Sequence, residues 1–570
     1  MFGRTPAASI AHPRADSLFT QYRNLPRLSL SASCLAVLLL VGCSSLTGKK
    51  NSDVAEDSGI AKLLAVPELP DLIREAGAPR GLNAIPIRGV GLVNSLSGTG
   101  GPADPSSYLD QLIEEMRHND VKSPNQILEL DSNAMVRIIA TVPPGAKRGD
   151  RIDLKIEAPP GSNASDLHGG WLLDSRMRLQ QMIQGRVRKG EVLAMGTGSV
   201  LTRFALEGGA DDRQKTQGLV LGGGTVQKTR NMGFVLRPEY QHVKVASDIA
   251  AAINRRFFFF DGTTRRGVAK AVEDDYIELE LHPRYEGALG RYVAVVRAIM
   301  IDERKANSQQ RLQKLGELLS DPATASDAAL QLEALGESAI PTLLAETKSD
   351  NPELQFYAAE ALAYLDRDES VAVLEQAASE PAFRYSVFAA LGGLEHPSVV
   401  DALQRLFDQP SQETRYGAFV ALRKRNDASR VLIPQPIEKT LNYYQVESDS
   451  PTAIALSSRD VAEVVVFGEP SPVKIDGALL GPNALILKPD SSEAGKIRVS
   501  RFEVGKQDRR ATVPASIRGI IEGVVAVGGS YGDVVTILRM AKSSNYIEDQ
   551  VAIDPLPKPM RTYYREEQSS

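Results

Sequence analysis

The chain has 570 residues, 42% of them hydrophobic and 24% charged, which is ordinary globular composition and length enough for three or four domains with their own cores. Its formal net charge of −5 lacks the basic excess of a general nucleic-acid binder. Its two cysteines, Cys34 and Cys43, lie in one short N-terminal region, and its six histidines show no H-x-x-x-H or H-x-H spacing. Neither a disulfide framework nor a metal site is expected in the body of the chain.

Residues 1–33 carry Arg4, Arg14, Arg23 and Arg27 against a single acid, Asp16. The apolar run Cys34 to Val41 follows, too short to span a bilayer as a helix, and the combination reads as a secretory signal. Its ending, Leu40-Val41-Gly42-Cys43, is similar to the bacterial lipoprotein signal. That resemblance implies cleavage after residue 42, lipidation of Cys43 and, with the non-acidic Ser44 next, the outer membrane. The other reading of Cys43 is a buried thiol in a core helix. Residues 43–82, rich in Ser, Lys, Asp, Glu and Pro, read as a flexible tether.

From 83 to 304 the patterning is α+β. The stretch Arg88 to Gly101, R-G-V-G-L-V-N-S-L-S-G-T-G-G, has glycine density that suits either a phosphate-cradling loop or a strand-to-helix corner. No Lys-Ser or Lys-Thr follows it, and no acid stands about 20 residues on in a βαβ context, so the corner is favoured. Asp104-Pro105 predicts a helix N-cap and first position, and Leu109, Leu112, Ile113 and Met116 form one apolar face. Strands are predicted at 135–142, 151–158, 191–197, 234–237, 276–282 and 292–301. In the second of these Ile152, Leu154 and Ile156 alternate with charged residues. A helix is predicted over 247–256 with Ser247 as cap.

Five blocks here resemble the flagellar basal-body P-ring protein family. They are Gly89–Gly101; Ala140–Leu154, A-T-V-P-P-G-A-K-R-G-D-R-I-D-L; Asp166–Leu173, D-L-H-G-G-W-L-L; Ala246–Phe257, A-S-D-I-A-A-A-I-N-R-R-F; and Val293–Glu303, V-A-V-V-R-A-I-M-I-D-E. The resemblance implies a periplasmic ring around the flagellar rod and brings no catalytic residues. Two features depart from it: the lipoprotein-type signal, and the segment 255–268, in which four Phe are flanked by Arg255-Arg256 and Arg265-Arg266. Those arginines form either an anion- or partner-binding patch or the solvated flanks of a helix end entering a buried strand.

Residues 305–440 change to Ala/Leu-rich helices. Leu332, Leu362, Leu391 and Leu422 recur at spacings of 30, 29 and 31 in matching phrases. A period near 30 with paired helices is the mark of an α-solenoid, and the block resembles short HEAT repeats with a concave surface for a protein partner. Prolines 341, 352, 381, 397 and 410 are expected at helix starts and connections. A catalytic reading of this block finds no nucleophile or paired acids to support it.

Residues 450–556 return to strands, at 461–467, 473–475, 484–487 and 496–504, and then to two helices at about 515–527 and 531–542. Ser530 and Asp533 predict a capping box. This end also resembles the P-ring family, which makes the chain a strand-rich P-ring-like domain in two segments, interrupted by an all-α HEAT-like insert. Residues 557–570, within a tail beginning near Pro555, read as flexible.

The expected function is structural: a non-enzymatic ring component of the basal body without cofactor, anchored by lipid to the outer membrane and facing the periplasm. Its expected partners are other copies of itself, the flagellar rod and outer ring proteins, a protein on the repeats, the bilayer through Cys43 and, as a further option, peptidoglycan. The alternative is a non-flagellar outer-membrane lipoprotein acting as an envelope adaptor. Asp274-Asp275 and Asp211-Asp212 are adjacent pairs whose side chains diverge on regular elements, so neither suits paired-acid catalysis.

Overall fold

Six antiparallel strands close into a barrel in the computed structural model, which describes residues 66–183, 186–306, 308–425, 431–503 and 507–561. In order around the barrel they are Arg151–Glu157, Ala134–Val142, Ile85–Asn94, Trp171–Ile183, Arg186–Ser199 and Gln217–Val226, the last pairing back to the first. The alternation predicted at Ile152, Leu154 and Ile156 points these side chains inward, beside Val136, Ile138 and Ala140. A six-stranded barrel has little interior volume, so some inward positions must be empty. Gly196 and Gly224 meet that need: a Cβ on Gly196 would sit 2.6 Å from Leu154 Cδ1, and one on Gly224 2.6 Å from Ile152 Cγ1. Outside, Val90, Leu92 and Met135 are covered by Leu112 and Met116 of the helix Ser107–His118.

A second antiparallel sheet joins Gly77–Arg80, Met232–Leu236, Tyr276–Leu279 and Ala269–Ala271 in that order. The helices Val243–Arg256 and Leu289–Ala298 share its core through Ile249, Ile253, Tyr292 and Val296. A separate hairpin, Phe258–Asp261 with Thr264–Gly267, leaves this body.

Eight helices follow, from Gln309–Leu319 to Gln412–Arg423. Every second one, Ala325–Leu335, Pro352–Tyr364, Arg384–Gly393 and Gln412–Arg423, packs against the next of that set. Leu332, Leu362, Leu391 and Leu422 lie fully buried along this row. One hydrophobic cluster runs without a break from Ile73 through these helices to Phe467. The helical block is therefore fused to the body, not hung from it.

Beyond the block, a five-stranded mixed sheet has the order Gln435–Ile437, Leu441–Val446, Glu463–Phe467, Ala453–Leu456, Gln550–Ile553. A four-stranded antiparallel sheet, Leu479–Leu480, Leu485–Pro489, Lys496–Arg501 and Arg509–Pro514, accompanies it. The helices Ile517–Ala526 and Tyr531–Ser543 share a core with both sheets, and Leu201 and Ala205 from beside the barrel join that core.

The structure corrects several expectations. Ser106, not Asp104, caps the helix Ser107–His118, because Asp104 is held by a backbone bond to Gly161. The helix expected from Ser247 begins at Val243 under His242, whose ring accepts from Lys244 N–H. Residues 292–298 are helical, not a strand; burial of Tyr292, Val293, Val295 and Val296 is the i, i+1, i+3, i+4 face of a helix. Val473 and Ile475 are buried without being a strand. The proposed tether reaches too far, since Ile73–Ala76 is helical and Gly77–Arg80 pairs with Met232–Leu236. The start of the proposed tail, through Arg561, is packed on the helical block. Cys34, Cys43, the whole of the expected signal peptide and residues 562–570 lie outside the described residues.

Candidate functional site

The glycine corner is a structural joint. Gly100 N–H donates to Asp131 O at 2.7 Å and Gly101 N–H to Asn133 O at 2.8 Å, while Thr99 Oγ1 donates to Asp166 O at 2.6 Å. Those backbone donors are spent on the chain, so they do not form an anion cradle. A Cβ on Gly100 would fall 2.2 Å from Asn133 O, which explains glycine there.

The block beginning at Asp166 leads to a buried ion pair. Asp166 Oδ1 accepts from His168 N–H at 2.8 Å and fixes the turn. His168 Nε2 then lies 2.7 Å from Asp533 Oδ1, with the side chains 3% and 1% exposed. Asp533 is the predicted capping-box residue, and its other oxygen accepts from Ser530 N–H at 2.7 Å and Ser530 Oγ at 2.9 Å. Burial opposes the charge on His168, yet the Asp533 carboxylate and its hydrogen bond outweigh burial and raise the imidazole pKa. Burial likewise opposes the charge on Asp533, and His168 with Ser530 holds that carboxyl below its usual range. A His–Asp–Ser set invites a catalytic reading, but the hydroxyl is bonded to the carboxylate and not to the imidazole. Within that set there is no nucleophile–base contact; the hydroxyl beside the imidazole is Thr202 Oγ1, 3.5 Å from Nδ1, which caps the helix Arg203–Glu207 by accepting from Ala205 N–H. It is a tie between two strand-rich segments 365 positions apart in sequence.

A second buried cluster joins the helix Leu289–Ala298 to the helical block. Arg291, 2% exposed, donates from Nε and Nη2 to Glu333 Oε2 at 3.0 and 2.5 Å, and its Nη1 lies 2.5 Å from Glu360 Oε2. Tyr285 Oη donates to Glu333 Oε1 at 2.5 Å, and its ring stacks on Tyr364 at 4.4 Å. Burial pushes the Glu333 carboxyl up, and Arg291 and Tyr285 pull it back only in part. A third cluster closes the far end of the block: Tyr416 Oη donates to Glu463 Oε1 at 3.2 Å, and Arg423 pairs with the same carboxylate. Tyr531 Oη donates to Ser457 O and Glu463 O at 2.8 and 2.9 Å. Sequence reasoning missed both clusters. The trace of the first was a lone acid in each of two largely apolar helical phrases, Glu333 in A-A-L-Q-L-E-A-L and Glu360 in A-A-E-A-L, and that of the second was Glu463 in the apolar run V-A-E-V-V-V-F.

The four flagged arginines are not gathered into one patch. Arg256 turns inward, donating from Nε to Glu333 O at 2.8 Å and covering the Phe257 ring at 4.7 Å. Arg255 Nη2 donates to Ile301 O at 3.0 Å. Arg265 and Arg266 are neighbours on the exposed hairpin strand, hence on opposite faces. Arg265 lies 3.7 Å from the Phe258 ring centre; Arg266 lies 5.3 Å from that of Phe259 and pairs with Glu280. Phe260, beside them, is 66% exposed. The helix does run into a strand at Phe257–Phe258, but that strand is in the exposed hairpin instead of the core.

Among the described residues, no group of three or more His, Cys, Asp or Glu side chains is placed to hold a metal ion, and no helix is long and apolar enough to cross a membrane.

Comparison with known proteins places the relationship at the front of the described chain. The family model described as flagellar P-ring protein (FlgI) matches residues 73–310, a span holding the barrel, the second sheet and the helix with Arg291. The flagellar P-ring protein of Thermotoga maritima is 27% identical over 240 residues, 40% of this chain and 66% of the relative. That of Geobacter metallireducens is 28% identical over 246 residues, 41% and 62% respectively, and that of Campylobacter jejuni 24% over 215 residues, 36% and 57%. The chain thus spans a little under two thirds of these relatives' length, and the family match ends where the helical block begins. Over residues 73–310, the chain is similar to the flagellar P-ring protein family.

Proposed function

We propose that this protein is a structural, non-enzymatic component of the flagellar basal body that assembles with its own copies into a periplasmic ring around the rod. The observation that carries the reading is the coincidence of the family match, 73–310, with a folded body, the barrel and second sheet with their helices. In this reading residues 450–556 complete the P-ring-like part, and the His168–Asp533 tie supports that. Residues 305–440 are a HEAT-like insert that binds a protein; the four buried leucines at a period near 30 and the row of alternate helices support it. Cys43 anchors the chain by lipid to the outer membrane, where the outer ring proteins and peptidoglycan lie within reach. Arg265, Arg266 and Phe260 on the exposed hairpin are a contact for one of these neighbours, with Arg255 at its base.

A closing ring needs heterologous interfaces between copies. Size in mild detergent tests this directly. The ring reading predicts large oligomers, or recovery with basal bodies, after the envelope is solubilised. A uniformly monomeric lipoprotein absent from basal bodies would refute it and leave the envelope-adaptor alternative.

A further inference from the structure

After the last described strand, Gln550–Ile553, the chain leaves the C-terminal sheet without further helix or strand and reaches the helical block at Arg561. Asp554 makes the turn at a φ of 48° and accepts from Arg459 Nε at 2.6 Å, and Leu556 packs on the main core. Arg561 then settles on the helix Pro352–Tyr364. Its guanidinium lies 4.3 Å from the Tyr357 ring centre and 5.8 Å from that of Phe356. Nη1 stands 3.4 Å from Glu360 Oε2, and Nη2 donates to Ser326 Oγ.

Glu360 is the carboxylate that Arg291 reaches from inside. Two buried carboxylates, Glu333 and Glu360, therefore share the buried guanidinium of Arg291, and the arm brings a further cation to Glu360 from outside. Pro559 and Arg561 form one side of a cavity of about 410 Å³ whose other walls include Arg291, Tyr364 and Tyr385. A planar cation stacked on an aromatic ring and forked between a carboxylate and a hydroxyl is arginine chemistry, which lysine satisfies poorly. The arm is anchored at Asp554, Leu556 and Arg561 and is exposed between the last two. The Leu556 N–H bonds back within the arm to Asp554 O, and Lys558, Pro559 and Met560 are exposed. A short exposed stretch such as 558–560 sits at the low end of local stability.

We infer that this socket is a recognition site for an arginine carried on an extended, proline-containing peptide segment, and that residues 554–561 are its ligand in cis. A partner displaces the arm by presenting the same chemistry. The inference deepens the reading of the helical block as a protein-binding insert, and its test is separate from the ring assignment because it needs neither ring nor partner.

The test is anisotropy of a labelled peptide with the sequence of residues 553–561, titrated into the full chain and its Arg561→Ala variant, with circular dichroism confirming the fold. Because the cis arm competes in the native chain, the peptide is expected to bind R561A at least tenfold more tightly. A peptide with its arginine replaced by alanine is expected to lose at least tenfold on R561A. Should R561A misfold, Arg561→Lys weakens the cis contact while keeping its charge, and the same tenfold ordering applies. Equal binding to native and variant chains, no binding to the variant, or an alanine peptide that binds as well as the native one would overturn the inference.

Discussion

His168→Ala removes one half of an ion pair that is almost wholly out of water and leaves Asp533 charged, with Ser530 still bonded to it. Removing one partner of a buried pair costs about 3–5 kcal/mol, chiefly because the survivor stays buried and uncompensated. Asp533→Ala should cost a similar amount, plus about 1 kcal/mol for the lost capping box at Tyr531–Ser543. Because the residues touch, the double mutant should fall short of additivity, with a coupling of about 2–3 kcal/mol. The pH dependence gives the sharper check. His168 has a raised pKa, so its contribution is complete below the unfolded value near ~6.5 and is lost as pH rises through the folded one. Asp533 has a lowered pKa, so its contribution is complete above the unfolded value near ~3.9 and is lost as pH falls through the folded one. The coupling should therefore peak between those two values. Urea unfolding of the four chains, followed by circular dichroism at several pH values, measures it. A coupling near zero throughout, or one that grows as pH rises above 7, would refute the reasoning.

Arg291→Met leaves Glu333 and Glu360 buried without their shared cation and should lower stability by about 3–5 kcal/mol, read as a drop in thermal midpoint. Gly100→Ala drives a Cβ into Asn133 O, so the corner must shift and stability should fall by about 1–3 kcal/mol in urea titrations; a neutral result would contradict the joint described here. His282 has its pKa pushed down to about 4 by burial, with its Nε2 facing Phe258 O. Selective imidazole labelling should show it neutral at pH 5.5, and its share of stability should be lost as pH falls from the unfolded value near ~6.5 toward 4. Phe260→Ala with Arg265→Ala should change stability by no more than about 0.5 kcal/mol, because both side chains are exposed, while reducing retention of the protein in purified basal bodies.

Much of the fold was legible where one local rule acted alone. Ile152, Leu154 and Ile156 announced their inward face by alternation, Ser530 and Asp533 announced a helix start, and the leucines near a period of 30 announced the helical block. Barrel closure was not legible. It depends on Arg151–Glu157 pairing with Gln217–Val226, and the second strand holds Gly222, Gly223 and Gly224, which read locally as a loop. The helix at 289–298 was hidden by its β-branched valines, since tertiary burial overrides local strand preference. The ties were least visible. Each half of His168–Asp533 looked sufficient in its own place, one as part of a family block and the other as a cap, and nothing local says that they meet.

The most direct measurement of the central claim is imaging of purified basal bodies carrying a compact tag at the exposed connection around Glu380 in the helical block. The account predicts tag density repeated in register with a ring around the rod. Basal bodies that lack the tag, while the tagged protein is present in the same cells' envelope, would contradict it.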